Sequence, residues 1–199
     1  MKNLICILSV FSFFSLQAQE MKEESPLEFQ NNLNKEFADR EESPLSEEDF
    51  KTFKALNFHP INEKFIVEAK FTRTENEKVF EMKTSTSRLP KYIKYGELRF
   101  TLNERQFKLN VYQNIDLVKK PEYKDYLFLP FSDLTCGKES YIGGRYIDLS
   151  IKEDSVWTID FNKAYNPYCA YNHKFSCPIV PLENDLDIEI LAGVKKFHE

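Results

Sequence analysis

The side chains best suited to chemistry are concentrated between Asp160 and Pro178. This run carries Asp160, Asn162, Tyr165, Asn166, Tyr168, Cys169, Tyr171, Asn172, His173 and Cys177. Amides both donate and accept hydrogen bonds, and phenol rings offer an apolar face with a polar tip. Together they suit a polar ligand such as a saccharide, whose hydroxyls need partners and whose ring faces stack. The same groups can equally satisfy one another inside an irregular loop, so a ligand site and a self-satisfied loop stand as alternatives.

Catalytic sets are weaker. Cys169, His173 and Asp160 supply the residue types of nucleophile, base and orienting acid. A cysteine in a disulfide cannot attack, however, and Cys169 and Cys177 are eight positions apart, a separation first read as a disulfide in an oxidising compartment. Cys136 is then left as a free thiol. The cysteines lack the short C-x2-4-C spacing of structural zinc, and His59, His173 and His198 form no H-x-x-x-H pair. No metal and no cofactor is expected. The alternative to a binding module is a hydrolase using Asp160, His173 or Glu183 as acid or base, or a protein with a purely structural role in the envelope.

The segment Thr135–Tyr146 holds three of the five glycines. A phosphate cradle needs a helix after the Gly-rich turn. A strand pattern follows here, so Gly143-Gly144 reads as a turn permitting close approach. Arg145 beside it offers a charge for an anion, or an ion pair with Glu139 or Asp148.

The amino terminus points to export. Lys2 precedes Leu4–Leu16, a run with ten apolar side chains in thirteen, and Leu16-Gln17-Ala18 ends it. That is the form of a signal peptide over residues 1–18, cleaved after Ala18 or Gln19. It is shorter than the roughly 20 residues of a membrane span. No later segment is long enough, so the mature chain is expected to lack one and to work in the periplasm or outside the cell. From Glu20 to Lys51 there are 11 acidic and 4 basic side chains; from Thr52 onward there are 21 and 22. An acidic lead followed by a near-neutral body argues against nucleic acid as partner.

These groups need a scaffold. Residues 19–60 read as a helical lead. Ser25-Pro26-Leu27-Glu28 is a capping box with proline in the first turn, and Phe29, Leu33 and Phe37 form an apolar stripe. The helix is expected to end near Arg40. Ser46 with Asp49 opens a second, short helix, stopped by His59-Pro60. From residue 61 to 199 the period switches to two, in Phe65–Phe71, Val79–Thr84, Leu98–Leu102, Phe107–Val111, Tyr126–Phe131, Arg145–Ile151, Val156–Phe161 and Leu186–Ala192. The expected fold is mainly β: an antiparallel sandwich or barrel of about eight strands with one or two N-terminal helices. Arg145–Ile151 and Val156–Phe161 lie only a few residues apart and are expected to pair as a hairpin. That pairing would gather the Gly143-Gly144-Arg145 turn and the Asp160–Cys177 run into one pocket.

Three segments resemble the uncharacterised prokaryotic family called domain of unknown function 1684. They are Ser85-Thr86-Ser87-Arg88 with Tyr95-Gly96-Glu97-Leu98; Asp125–Phe131 with Gly143-Gly144-Arg145-Tyr146; and Asp160-Phe161-Asn162 through Asn166–Asn172, Ser176-Cys177-Pro178 and Glu183-Asn184. The resemblance spans roughly Phe37 to Phe197. It implies that Cys169 and Cys177 belong to the family motif, and it assigns no activity. The candidate ligand-binding residues are therefore Arg88, Arg145, Asp160, Asn162, Tyr165, Asn166, Tyr171, Asn172, Glu183 and Asn184, with an unidentified polar small molecule or glycan as partner.

Overall fold

The structure is a computed structural model and describes residues 24–198; the signal segment expected over residues 1–18 lies outside the described residues. Two helices lead the chain, α1 (Pro26–Ala38) and α2 (Glu47–Thr52). Ser25 and Glu28 form the expected reciprocal cap on α1, and Ser46 caps α2. The helix α1 ends at Ala38, two residues before Arg40. The helix α2 ends at Thr52, well before His59-Pro60.

Eight strands follow: β1 (Ile66–Arg73), β2 (Phe80–Glu81), β3 (Lys91–Leu102), β4 (Arg105–Asn114), β5 (Tyr126–Asp133), β6 (Arg145–Ser150), β7 (Val156–Asp160) and β8 (Asp185–Leu186). They form one sheet curled into a half-barrel, in the order β6-β5-β4-β3-β1-β7, with β2 on β3 and β8 on β5. All pairings are antiparallel except β5 with β8. The mainly-β expectation, with about eight strands and N-terminal helices, holds.

The predicted β6–β7 hairpin does not form. The strand β6 pairs β5, whereas β7 pairs β1, so the two occupy opposite ends of the sheet path. A short connection permits a hairpin without requiring one. Leu186–Ala192 also departs from expectation: only Asp185–Leu186 is strand, although Ile188, Ile190 and Ala192 are buried. Val79–Thr84 shrinks in the same way to Phe80–Glu81.

The sheet has two apolar faces. On one, Leu127, Leu129 and Phe131 of β5 and Ile147 of β6 join Leu98, Leu109, Trp157 and Ile159 in the main core. On the other, Phe128 and Tyr146 pack with Tyr92, Tyr112 and Met82. Alternation along β5 and β6 makes this split, because neighbouring side chains on a strand point to opposite faces. The helix α1 covers part of the second face. Phe37 is buried, with its ring 4.7 Å from Tyr171 and edge-on to it, while Leu33 is only partly covered. Burying side chains of this size stabilises the lead by roughly 1.5–3 kcal/mol each, before ordering entropy.

Candidate aromatic cavity centred on Asp148

A cavity of about 400 Å³ lies between α1, the aromatic face of the sheet and the Tyr165–Pro178 loop. Its size falls in the range of small-molecule sites. Asp148 sits at its floor. Tyr146 and Asp148 are two apart on β6 and share a face, and Asp148 lies directly across the ladder from Phe128. Tyr146 and Phe128 meet edge-on at 4.7 Å, and Tyr146 and Tyr165 at 5.9 Å. Tyr165 is held there by reciprocal backbone bonds to Tyr146, 2.9 and 3.0 Å long. The helix α1 supplies Phe29, Leu33 and Glu36 as the facing wall, and Glu36 accepts the Tyr168 hydroxyl.

Tyr126 and Tyr165 donate to the Asp148 carboxylate at 2.7 and 2.8 Å. Both reach the same oxygen, Oδ1. Among the described residues no cation pairs with Asp148, and no hydrogen bond reaches Oδ2. The side chain is exposed, on the cavity side. Desolvation by the surrounding rings raises its pKa, and the two phenol donors oppose the rise. Burial and the carboxylate together push the Tyr165 and Tyr126 hydroxyls far above their usual range. They remain protonated and act as donors, so the cavity floor is an acceptor with one oxygen open.

Of the residues expected to bind ligand, only Tyr165 lines this cavity. Most of the others clip the fold. Arg145 has no accessible side-chain surface; it pairs with Asp133 at 2.8 Å, not with Glu139 or Asp148, and donates to the Ile190 and Ala192 carbonyls. Asp160 Oδ1 accepts from the backbone and side chain of Asn162 at 3.0 and 2.8 Å. Asn162 in turn exchanges hydrogen bonds with the Asn62 backbone at 2.9 and 3.1 Å, and its carbonyl accepts from Gln30. Asn184 bridges the Asn110 backbone and the Pro130 carbonyl. Asn166 donates to the Lys195 carbonyl, and Asn172 reaches the Leu45 carbonyl at 3.5 Å. Tyr171 is buried against Phe37 and Phe197. Arg88 is exposed and holds Ser176, while Glu183 is exposed in a short turn.

The expected Cys169–Cys177 disulfide is not formed; both are free cysteines, as is Cys136. The two remain neighbours in hydrogen-bond contact, with the Cys169 N–H donating to Cys177 Sγ at 3.1 Å. Cys177 lies on the cavity wall.

Asp148 itself was visible in the sequence only as a possible partner of Arg145. The missed signal was the period: Tyr126 with Phe128 and Tyr146 with Asp148 place aromatic and acidic groups on one face of two predicted strands.

The model of the family described as protein of unknown function (DUF1684) matches residues 51–195. The chain belongs to this family. Its fold resembles the solution structure of an uncharacterised protein from Haloarcula marismortui, at a TM-score of 0.66 and 31% identity over 83% of this chain and 89% of that one. Comparison with curated proteins finds no match. The wall given by α1 lies before the segment that the DUF1684 model covers.

Proposed function

We propose that this DUF1684 protein is an exported, non-catalytic module that binds a small polar ligand, of the kind a saccharide or envelope component presents, in the Asp148 cavity. One observation carries the reading: a carboxylate lining an aromatic cavity has both its tyrosine donors on one oxygen and, among the described residues, none on the other. The Oδ2 atom faces the cavity as a charged acceptor to which a ligand hydroxyl can donate, and hydrogen bonds to a charged acceptor are among the stronger ones. The rings of Tyr146, Phe128 and Tyr165 suit the apolar face of a pyranose. The signal-like amino terminus supports placing this binding outside the cytoplasm.

The test is calorimetric titration of the mature chain with a panel of monosaccharides and amino sugars, repeated on Asp148→Asn and Tyr165→Phe. A hydrogen bond to a charged group contributes about 1.5–3 kcal/mol, so Asp148→Asn should weaken binding tenfold or more. Absence of binding across the panel, or equal affinity in the Asn variant, rejects the reading.

A further inference from the structure

The second chemical feature of the molecule stands beside the cavity. Cys169 lies in the short turn Tyr168–Ala170, and Cys177 closes the same loop. Each is positioned separately. The Cys177 backbone exchanges hydrogen bonds with Ser85: its N–H donates to Ser85 Oγ at 3.1 Å, and its carbonyl accepts the Ser85 N–H at 2.8 Å. Thr84 bridges to Pro178 just beyond. Cys169 is anchored by its own N–H on Cys177 Sγ at 3.1 Å, and the Tyr141 hydroxyl lies 3.9 Å from Cys169 Sγ. Two thiols are thus held in contact and unbonded, with Cys169 partly accessible and Cys177 covered.

We propose that Cys169 and Cys177 form a redox-active dithiol that reacts with low-molecular-weight disulfides, Cys169 attacking and Cys177 resolving. The assignment of roles follows from the surroundings. Hydrogen bonding to the Cys177 thiol outweighs burial, with Tyr141 and Ser85 adding to it, and lowers the Cys169 pKa below that of an ordinary thiol. Giving up a hydrogen bond to Cys169 raises Cys177, with burial adding to the effect, and the Arg88 charge partly opposes both. The accessible sulfur is therefore the more acidic of the two, and the covered one holds its proton more tightly.

The exchange balances. The Cys169 thiolate attacks one sulfur of the small disulfide, forms a mixed disulfide and expels the other sulfur as a thiolate. That thiolate takes the Cys177 proton. Cys177 then attacks Cys169 Sγ, forms the internal disulfide and expels the second sulfur as a thiolate. The dithiol loses two electrons and the small disulfide gains them. Arg88, anchored 2.6 Å from the Ser176 carbonyl, places a positive charge beside Cys177, where the resolving thiolate develops. Because Cys177 and Pro178 line the cavity wall, the bond would form at the edge of the ligand site.

The experiment treats the reduced mature chain with oxidised glutathione and maps the products by peptide mass spectrometry. The wild type should lose two hydrogens across the Cys169 and Cys177 peptides without retaining glutathione. Cys177→Ala should trap glutathione on Cys169, and Cys169→Ala should leave Cys177 largely unmodified. Iodoacetamide labelling of Cys169 should rise through a midpoint below the roughly 8.5 of an ordinary thiol. Reduced glutathione should reopen the bond. The proposal is overturned by trapping on Cys177 instead, by an ordinary labelling midpoint, by no reaction, or by a bond that reduced glutathione leaves intact, which would mark a structural staple.

Discussion

Arg145 Nη2 lies 2.8 Å from Asp133 Oδ2, and neither side chain has any accessible surface. Asp133 Oδ1 accepts the Thr135 and Ile190 N–H groups, while Arg145 donates to the Ile190 and Ala192 carbonyls. The pair therefore ties the irregular carboxy-terminal segment to β5 and β6. Removing one partner leaves the other charge buried alone, which typically costs 3–5 kcal/mol. Arg145→Met should destabilise the protein by about that amount in urea unfolding. The double variant Asp133→Asn with Arg145→Met should recover part of the loss. Equal stability of Arg145→Met and wild type would contradict the assignment of this pair as a structural tie.

That pair also shows where sequence reasoning reached and where it stopped. Residues three apart on a strand face opposite ways, so Arg145 and Asp148 cannot share a site if Arg145–Ser150 is a strand. The period predicted the strand, and its consequence for the site was available from the same residues. Partner choice was not available. Val156–Asp160 alternates equally well beside β6 or β1, and only tertiary packing, with Trp157 stacked at 3.9 Å on Phe71 of β1, selects β1. Ile188, Ile190 and Ala192 alternate because alternate positions are buried, not because they pair in a strand. Local signals fared better: the Ser25–Glu28 capping box and the turn at Asn103-Glu104 depend on neighbours in the chain. At Asn103 and Glu104 φ is positive, at 48° and 63°, and the strands β3 and β4 join directly. The polar run contributed Tyr165, Tyr168 and Cys177 to the cavity, whereas Asp160, Asn162 and Asn166 hold backbone groups of the described loops.

Phe37 anchors the helical lead. Its ring meets Tyr171 at 4.7 Å, Phe53 at 6.1 Å and Tyr168 at 6.3 Å. Large aromatic-to-alanine changes in cores cost about 3–5 kcal/mol. Phe37→Ala should lower stability within that range and loosen α1, which walls the cavity. Hydrogen exchange read at the α1 amides is the specific measure. Unchanged protection there would show that the helix does not depend on this contact.

The amino-terminal signal makes a separate prediction. Expressed in a bacterium with its native start, the chain should be recovered outside the cytoplasm beginning at Gln19 or Glu20. Intact-mass analysis with amino-terminal sequencing checks both sites. Retention of Met1 in the accumulated protein would remove the export reading, while leaving the cavity argument untouched.

His59 gives the fold an acid-side weakness. It is buried, and its Nε2 has no hydrogen-bond partner among the described residues. Burial, helped by the Arg145 and Lys195 charges and opposed by Glu139 and Asp133, lowers its pKa to about 4. The unfolded chain has an ordinary imidazole near 6.5. Between those values the unfolded state binds more protons than the native one, so stability falls as pH falls. The contribution is fully present above about 6.5 and is lost progressively as pH drops to about 4. At 1.36 kcal/mol per unit, the window spans about 3 kcal/mol at most. Asp148, whose pKa is raised, works in the opposite sense, because its native form holds a proton more readily than the unfolded chain does. The two effects overlap in the wild-type curve, so a difference measurement is needed. His59→Met keeps the site neutral at every pH and leaves Asp148 in place. Subtracting its urea-unfolding free energies from those of wild type between pH 4 and 7 should give a difference that rises with pH and levels off above about 6.5. A flat difference across that window would mean that His59 titrates alike in both states, and the burial argument for its pKa would fail.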